Sequence, residues 1–197
     1  MLKVEAPGGA KEILLHACCA PCSGAVLECL RDSGIRPVVF FSNSNITPRE
    51  EYDLRLSELR RYANALGMEL VADEYDHEAW LEAVRGLENE PERGRRCEAC
   101  FRFRLGRAAS YAASRGLPVL ATTLASSRWK DLDQVKASGA YACQAAADST
   151  ALATTFWPQN WRKGGLQPRR NEIIREQAFY NQTWCGCEFS RHQNHLK

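Results

Sequence analysis

Short, contiguous apolar runs alternate with longer amphipathic segments along most of the chain. The runs are too short for helices, so they predict buried strands at 12–17, 37–42, 68–72, 117–123 and 151–156. Helical periodicity and end signals predict helices at 23–31, 48–66, 78–87, 97–115, 131–147 and 171–180. Repeated alternation of strand and helix is typical of a parallel, doubly wound α/β sheet, which binds ligands at the carboxyl ends of its strands.

Side chains at the predicted ends support two of these helices. Ser23 and Thr47 are candidate N-caps, because a hydroxyl oxygen can accept a hydrogen bond from a free N–H of the first turn. Pro48 would occupy the first turn of the second helix, Glu50 would complete a capping box and Gly67 would follow the helix end.

Length and composition indicate one ordinary globular domain over residues 1–197. The chain is 45% hydrophobic and 25% charged, and no run approaches the roughly 18 apolar residues that a membrane span needs. Residues 1–10 lack an apolar signal core and contain a Gly-Gly pair, so we expect a loose lead-in there and a loose tail at 191–197. We expect a cytoplasmic protein with no membrane partner.

Charge is distributed unevenly along the chain. Residues 1–98 carry 12 basic and 18 acidic side chains, whereas residues 99–197 carry 14 and 6. The second half could therefore present a basic face to a polyanion such as RNA, or only a solvated charged surface.

Nine cysteines are too many for an ordinary cytoplasmic domain, and seven of them form three clusters. Cys18, Cys19 and Cys22 form C-C-A-P-C after the first predicted strand, Cys97 and Cys100 form C-E-A-C, and Cys185 and Cys187 form C-G-C. Without a secretory signal, such clusters indicate metal or redox chemistry rather than a disulfide framework. The remaining two, Cys29 and Cys143, lie inside predicted helices and are expected to be packing residues.

Each cluster has a distinct chemical setting. Thiolates suit zinc or an iron–sulfur cluster, and the adjacent C-C pair is awkward for a zinc knuckle. We expect Cys97 and Cys100 in the first turn of a helix, where the macrodipole and Arg95 and Arg96 favour thiolates. The C-G-C pair would close a small, strained and easily reduced ring if it were oxidised, or it would ligate a second metal together with Cys22.

These clusters and the segments between them resemble the QueH family of epoxyqueuosine reductases. The matching motifs are L-L-H-A-C-C-A-P-C at 14–22, F-S-N-S-N-I at 41–46 with Tyr52, R-C-E-A-C-F at 96–101 with Arg102 and Leu105, T-T-L at 122–124 with Ser126, Ser127 and Lys130, W-R-K-G-G at 161–165, Y-N-Q at 180–182 and C-G-C-E-F-S at 185–190. Seven motifs in register, spanning about residues 13–190, make this resemblance specific.

The resemblance implies reduction of epoxyqueuosine to queuosine at the wobble position of tRNA, with electrons from a donor that the sequence does not identify. It also implies a Rossmann-like fold similar to the adenine-nucleotide α-hydrolases, with a cysteine-rich metal site at the strand carboxyl ends. The implied cofactor is a [4Fe-4S] cluster, with a second, mononuclear iron as an open question. The implied roles are cluster ligation by Cys18, Cys19, Cys97 and Cys100, an additional ligand at Cys22, and a redox pair or second-metal ligands at Cys185 and Cys187.

Epoxide reduction also requires protons and a bound nucleotide. His16 is a candidate proton donor, although a structural histidine is the commoner case, and Tyr52 and Asp131 are weaker candidates. Tryptophans near these motifs are candidates for stacking on an everted base or, alternatively, for packing: Trp129, Trp157, Trp161 and Trp184. Candidate phosphate contacts are Arg102, Arg104, Arg107, Arg162, Lys163, Arg169 and Arg170.

Two other functions are compatible with the cysteines. One is a zinc-stabilised nucleic-acid-binding module, which would not require the third cysteine pair. The other is a thiol-dependent sulfur-transfer or redox enzyme on a similar scaffold. The loop after the first strand reads C-C-A-P-C-S-G and lacks a Ser-Gly-Gly phosphate cradle, which argues against ATP use.

Overall fold

A five-stranded, all-parallel sheet forms the centre of the molecule. The computed structural model describes residues 2–149 and 153–191. Its strands are β1 (Glu12–His16), β2 (Arg36–Phe41), β3 (Leu70–Ala72), β4 (Val119–Thr122) and β5 (Thr155–Phe156). They lie in the order β3-β2-β1-β4-β5, and every pairing is parallel. The parallel α/β sheet expected from the sequence is thereby confirmed, with the strand order reversing between β1 and β4.

Six α-helices occur in the described part of the chain. They are α1 (Ala20–Asp32), α2 (Arg49–Ala65), α3 (His77–Ala83), α4 (Arg95–Ser114), α5 (Leu132–Ser149) and α6 (Leu166–Glu176). Helix α1 packs on α2 and α6, whereas α4 packs on α5 and α3. Ile13, Leu14 and Leu15 of β1 are fully buried, as expected for a central strand covered on both faces.

Two predicted helix caps are wrong. Helix α1 begins at Ala20 with Cys19 as its N-cap residue, so Ser23 lies inside the helix and its Oγ donates to the Cys19 carbonyl at 2.8 Å. Helix α2 begins at Arg49, after Pro48, and neither helix has a side-chain hydrogen bond at its N-cap. Both predictions assumed that a hydroxyl marks the helix start, whereas Pro21 and Pro48 set the boundary in this chain.

The last helix starts earlier and ends sooner than the sequence suggests. It was expected at 171–180 and runs from Leu166 to Glu176, preceded by Gly165 in a left-handed conformation with φ of +81°. Pro168 conceals this start in the sequence. It falls in the first turn of α6, where no intrahelical N–H is needed.

Residues 2–10 are packed against the domain, contrary to the expected loose lead-in. The Leu2 N–H donates to the Gly164 carbonyl at 3.1 Å, and the Val4 N–H donates to Ser33 Oγ at 3.1 Å. Ala6 is only 3% exposed. Residues 192–197 of the expected tail, and 151–152 of the expected last strand, lie outside the described residues. No described helix is both long enough and apolar enough to cross a membrane.

Two helical glycines give a matched test of the packing between α5 and β5. A Cβ on Gly139 would lie 2.3 Å from the Phe156 ring, whereas a Cβ on Gly106 in α4 would meet nothing within 4 Å. Gly139→Ala should therefore lower the free energy of unfolding by about 1–3 kcal/mol through overpacking. Gly106→Ala should raise it by up to about 1 kcal/mol, because alanine is the better helix former. Urea unfolding measures both, and equal values would contradict this packing.

Candidate metal centre

The first three cysteines follow β1 at the carboxyl edge of the sheet. Strand β1 ends at His16 and α1 begins at Ala20, so Cys18 lies in the connecting loop and Cys19 directly precedes α1. Thr123 follows β4, the neighbouring parallel strand, and its hydroxyl accepts a hydrogen bond from the Cys18 N–H at 3.2 Å. This loop therefore lies where the strand order reverses, which is where doubly wound sheets bind ligands.

Cys18, Cys19 and Cys22 bring three sulfur atoms together. Their Sγ atoms all lie within 4.8 Å of one another, and the Sγ atoms of Cys18 and Cys19 are 3.7 Å apart. Thiolates bound at about 2.3 Å to one tetrahedral ion would be about 3.8 Å apart, so this spacing suits a metal. Within residues 2–149 and 153–191, it is the one group of three or more potential metal-ligating side chains with this compactness.

The three thiols bind protons unequally. Hydrogen bonds from the Cys19 and Cys22 thiols hold the pKa of Cys18 well below its ordinary value, despite burial. Burial raises the pKa of Cys19, and the hydrogen bond with Cys18 raises the pKa of Cys22 to about 12. Its neighbours and the Arg104 charge therefore favour the thiolate form of Cys18. A soft metal ion would replace the remaining protons.

The C-E-A-C and C-G-C motifs face each other in a second set. Burial raises the pKa of Cys97 to about 11, and the nearby Cys185 and Cys100 also raise it. Burial raises the pKa of Cys187 to about 12, again with contributions from Cys185 and Cys100. Two segments that are distant in the sequence therefore form one thiol-rich wall.

Lys130 gives this second set a positive charge. Its Nζ donates a hydrogen bond to Cys185 Sγ at 2.8 Å. Burial raises the pKa of Cys185, but the charge and hydrogen bond of Lys130 outweigh it, and the net shift is downward. In turn, burial lowers the pKa of Lys130, but Cys185 and Cys97 outweigh it and the net shift is upward. The contact is therefore an ammonium–thiolate pair.

The start of α4 corrects our expectation for Cys97 and Cys100. The helix begins at Arg95, so Cys100 lies in its second turn rather than its first. Arg95 pairs with Glu90, and Arg96 is buried, where it donates to backbone carbonyls of the preceding loop. The pKa of Cys97 is raised rather than lowered, with burial as the largest cause.

The backbone of the C-G-C segment is clamped to the rest of the domain. The Thr47 N–H donates to the Gly186 carbonyl at 3.0 Å. Arg55, only 3% exposed, donates to the carbonyl oxygens of Cys185 at 3.0 Å and Trp184 at 3.4 Å. Gly186 has φ of +111°, and a Cβ there would lie 2.9 Å from a neighbouring side chain, so only glycine suits this position.

Both cysteine sets border one cavity of about 580 Å³, with Cys18, Cys22 and Cys185 in its lining. Gln182 also lines it, and its Nε2 donates to Cys19 Sγ at 2.7 Å. The Gln182 Oε1 is buried and has no hydrogen-bond partner among the described residues. Because an unpaired buried amide oxygen is costly, this atom indicates where a bound group would be contacted.

The two lone cysteines are packing residues, as expected. Cys29 is buried in α1, with its Sγ donating to the Leu2 carbonyl at 3.2 Å, and Cys143 is buried in α5. Of the seven clustered cysteines, Cys18, Cys22 and Cys185 line the cavity. Cys18 and Cys19 associate with Cys22, and Cys97 and Cys100 associate with Cys185 and Cys187.

The candidate proton donors have structural roles. His16 is fully buried, and its Nδ1 and Nε2 lie 2.8 Å from Thr122 Oγ1 and 3.1 Å from the Ser42 carbonyl. Burial lowers the pKa of His16 to about 3, which keeps the ring neutral. Tyr52 is buried in the core. Asp131 accepts hydrogen bonds from the N–H groups of the first turn of α5.

Lys130 and Gln182 belong to motifs of the family resemblance, but neither they nor Arg55 could be assigned a role in the site from the sequence. The available signal was position: Lys130 lies in the loop after β4, at the ligand-binding edge of the sheet. Its contact with Cys185 spans 55 residues of sequence, and the contact of Arg55 with the same residue spans 130.

Comparisons with known proteins agree with this site. A family model described as epoxyqueuosine reductase QueH matches residues 13–193. The chain belongs to the QueH family. An epoxyqueuosine reductase QueH from Histophilus somni is 43% identical over 188 residues, which cover 95% of this chain and 75% of that protein. Proteins of the same name from Acinetobacter baylyi and Thermotoga maritima are 42% and 32% identical, covering 96% and 90% of this chain and 84% and 89% of their own lengths.

The Arg55 clamp generates a test in metal-free protein. Arg55→Lys keeps a positive charge beside Glu51 but cannot donate to both carbonyls of the C-G-C segment. Losing charge-assisted hydrogen bonds worth about 1.5–3 kcal/mol should make this segment open more often and raise the alkylation rate of Cys185 about tenfold. Peptide mapping by mass spectrometry measures that rate.

Arg61→Lys is the matched control, because Arg61 is an exposed arginine on the same helix that contacts Gln177 instead. Its Cys185 should be labelled at the rate of the unaltered protein. Equal rates in both variants would contradict the clamp.

Proposed function

We propose that this protein reduces epoxyqueuosine to queuosine in tRNA. Family membership and the gathering of seven cysteines into two sets that border one cavity support the proposal, and this gathering carries it. Neither a structural zinc site nor a single redox pair needs seven thiols in two such sets. The parallel sheet and its strand order support a Rossmann-like fold related to the adenine-nucleotide α-hydrolases.

The proposed cofactor is a [4Fe-4S] cluster bound by Cys18, Cys19, Cys97 and Cys100. Its fit rests on the donor set, which is entirely thiol, and on the unpartnered Gln182 Oε1 beside it. Cys22 is the proposed additional ligand, and Cys185 with Cys187 serves as ligands for a second, mononuclear iron or as a redox pair.

The reaction balances as epoxide plus two electrons and two protons giving an alkene and water. A bound iron–sulfur cluster supplies electrons one at a time, after reduction by an external electron donor. Lys130 stays charged because Cys185 and Cys97 raise its pKa, so its role is to stabilise negative charge rather than to release a proton. The Arg104 guanidinium, buried beside the cavity and bound to Asn43, does the same for Cys18.

We further propose tRNA as the partner and the cytoplasm as the location. Nine free thiols suit a reducing compartment. The cavity lining carries several basic side chains, and phosphate contacts would hold the RNA while one nucleotide enters the cavity.

Turnover by purified protein tests the function. Protein prepared without oxygen, with its iron and sulfide measured, is incubated with a chemical reductant and tRNA that contains epoxyqueuosine. Digestion to nucleosides should yield queuosine. A colourless protein with one zinc and no acid-labile sulfide, or an intact cluster without queuosine formation, would contradict the proposal.

A pair of cysteine variants tests the proposed ligand set. Cys100→Ala should lose most of the bound iron, the visible absorption and the turnover, because one proposed thiolate is missing. Cys29→Ser should keep all three, because Cys29 is a packing residue outside the cavity lining. Iron and sulfide analysis after anaerobic purification measures the difference. The same loss in both variants would refute the separation of clustered from lone cysteines.

A further inference from the structure

The cavity lining is strongly basic beyond the thiols. It contains one carboxylate, Glu92, and six cationic side chains: Arg55, Arg104, Arg128, Lys130, Arg162 and Arg170. Most of these cations already have structural roles. Arg55 pairs with Glu51, Lys130 with Cys185, and Arg104 with Asn43.

Two of the arginines remain available for an anionic ligand. Arg128 is exposed, and no carboxylate in the described part of the chain forms an ion pair with it. Among the described residues, Arg170 donates only to neutral amide oxygens, those of Asn171 at 3.0 Å and Asn181 at 3.1 Å. Arg170 lines the same cavity as Cys22. Phosphate oxygens would compensate both charges.

The loop that carries Arg128 is held rigidly by two other arginines. Four consecutive carbonyl oxygens, those of residues 127–130, accept hydrogen bonds from guanidinium groups. Arg93 donates to the carbonyls of Arg128 at 3.2 Å and Trp129 at 3.1 Å. Arg162 donates to those of Ser127 and, at 2.6 Å, Lys130. The loop is therefore ordered before any ligand binds.

This ordered loop exposes an aromatic side chain beside the cavity. Trp129 is 40% exposed, lines the cavity and has the Arg128 guanidinium 5.1 Å from its ring centroid. The other tryptophans are covered: Trp80, Trp157 and Trp161 are buried, and Trp184 has arginines over its ring. An exposed tryptophan on a rigid loop needs no ordering to form a stacking surface.

We propose that Trp129 stacks on a nucleobase flanking the one that is reduced, while Arg128 and Arg170 bind the adjoining phosphates. This inference rests on the proposed function, because it takes the occupant to be the anticodon loop of a tRNA. Unpaired bases stack on aromatic side chains in single-stranded RNA recognition, with arginine contributing charge and planar contact. Contact with a flanking nucleotide would orient the reacting base toward the thiols.

Fewer side chains are available to contact RNA than the sequence suggested. Several of the arginines named there are neutralised within the protein. Arg102 pairs with Glu98, Arg107 with Asp73, and Arg169 with Glu28, Glu172 and Glu176. Trp157 and Trp161 are buried core residues, which corrects their candidacy for base stacking.

Binding of an unmodified anticodon stem–loop RNA to the anaerobically purified full chain tests the proposal. Trp129→Ala should weaken binding about tenfold or more, as for loss of one base–aromatic stack. Trp129→Phe should retain most of the affinity, because a phenyl ring still stacks. It should also lose most of the RNA-induced quenching of tryptophan fluorescence, which identifies the stacked residue.

Tyr141→Ala is the matched control. Tyr141 is 56% exposed and carries an arginine, Arg102, 4.7 Å from its ring centroid, but it is not part of the cavity lining. Its removal should leave RNA affinity and turnover unchanged.

Arg170→Gln should weaken binding and lower the slope of log affinity against log salt by about 0.7, which corresponds to one phosphate contact.

The outcomes separate this proposal from the proposed function. Unchanged RNA affinity in Trp129→Ala, with normal queuosine formation by the unaltered protein, would overturn the stacking site alone. Weaker RNA binding in Trp129→Ala but not in Tyr141→Ala, in a protein that forms no queuosine, would support the RNA site and contradict the reductase. An equal loss of affinity in both variants would overturn the stacking site.

Discussion

The parallel pairing of β1 with β4 is the constraint on which the site depends. His16 aligns with Thr122 in this register, so the C-C-A-P-C loop and the loop after β4 emerge side by side. The first loop carries the three clustered sulfurs, and the second carries Lys130, which contacts Cys185. A one-residue change in register would separate the Cys18 N–H from Thr123 Oγ1 and misalign both loops. Buried His16 stabilises the pairing by contacting both neighbouring strands through Thr122 and Ser42.

Charge compensation then decides how the thiols behave. Burial alone raises thiol pKa values, as it does for Cys97 and Cys187. The two thiols with lowered pKa values, Cys18 and Cys185, are those for which hydrogen bonds and nearby cationic groups outweigh the effect of burial. In each cysteine set the surroundings therefore favour the thiolate form of one sulfur, that of Cys18 or Cys185, which is the form that binds a metal.

The sequence predicted those features of the structure that local residue patterns determine. Apolar runs located the strands, and the cysteine spacing identified the clustered thiols and separated Cys29 and Cys143 from them. Contacts across the fold were not predictable, because no periodicity encodes them. The positions of Arg95 and Arg96 show the limit: next to Cys97 in sequence, they bind Glu90 and backbone carbonyls instead. The predicted helix starts were wrong where a proline, rather than a hydroxyl-bearing residue, set the boundary.

Contacts across the fold also decide what the arginines can do. The partners of each arginine, rather than the number of arginines, determine whether it can attract a polyanion. An arginine that faces carboxylates, as Arg169 does, contributes little to attraction of a polyanion. An arginine that binds carbonyl oxygens, as Arg93 and Arg162 do, keeps its charge while it shapes the loop at residues 127–130. Arg93 and Arg162 therefore order this loop and also contribute positive electrostatic potential. That combination lets Trp129 remain exposed without disordering the wall of the cavity.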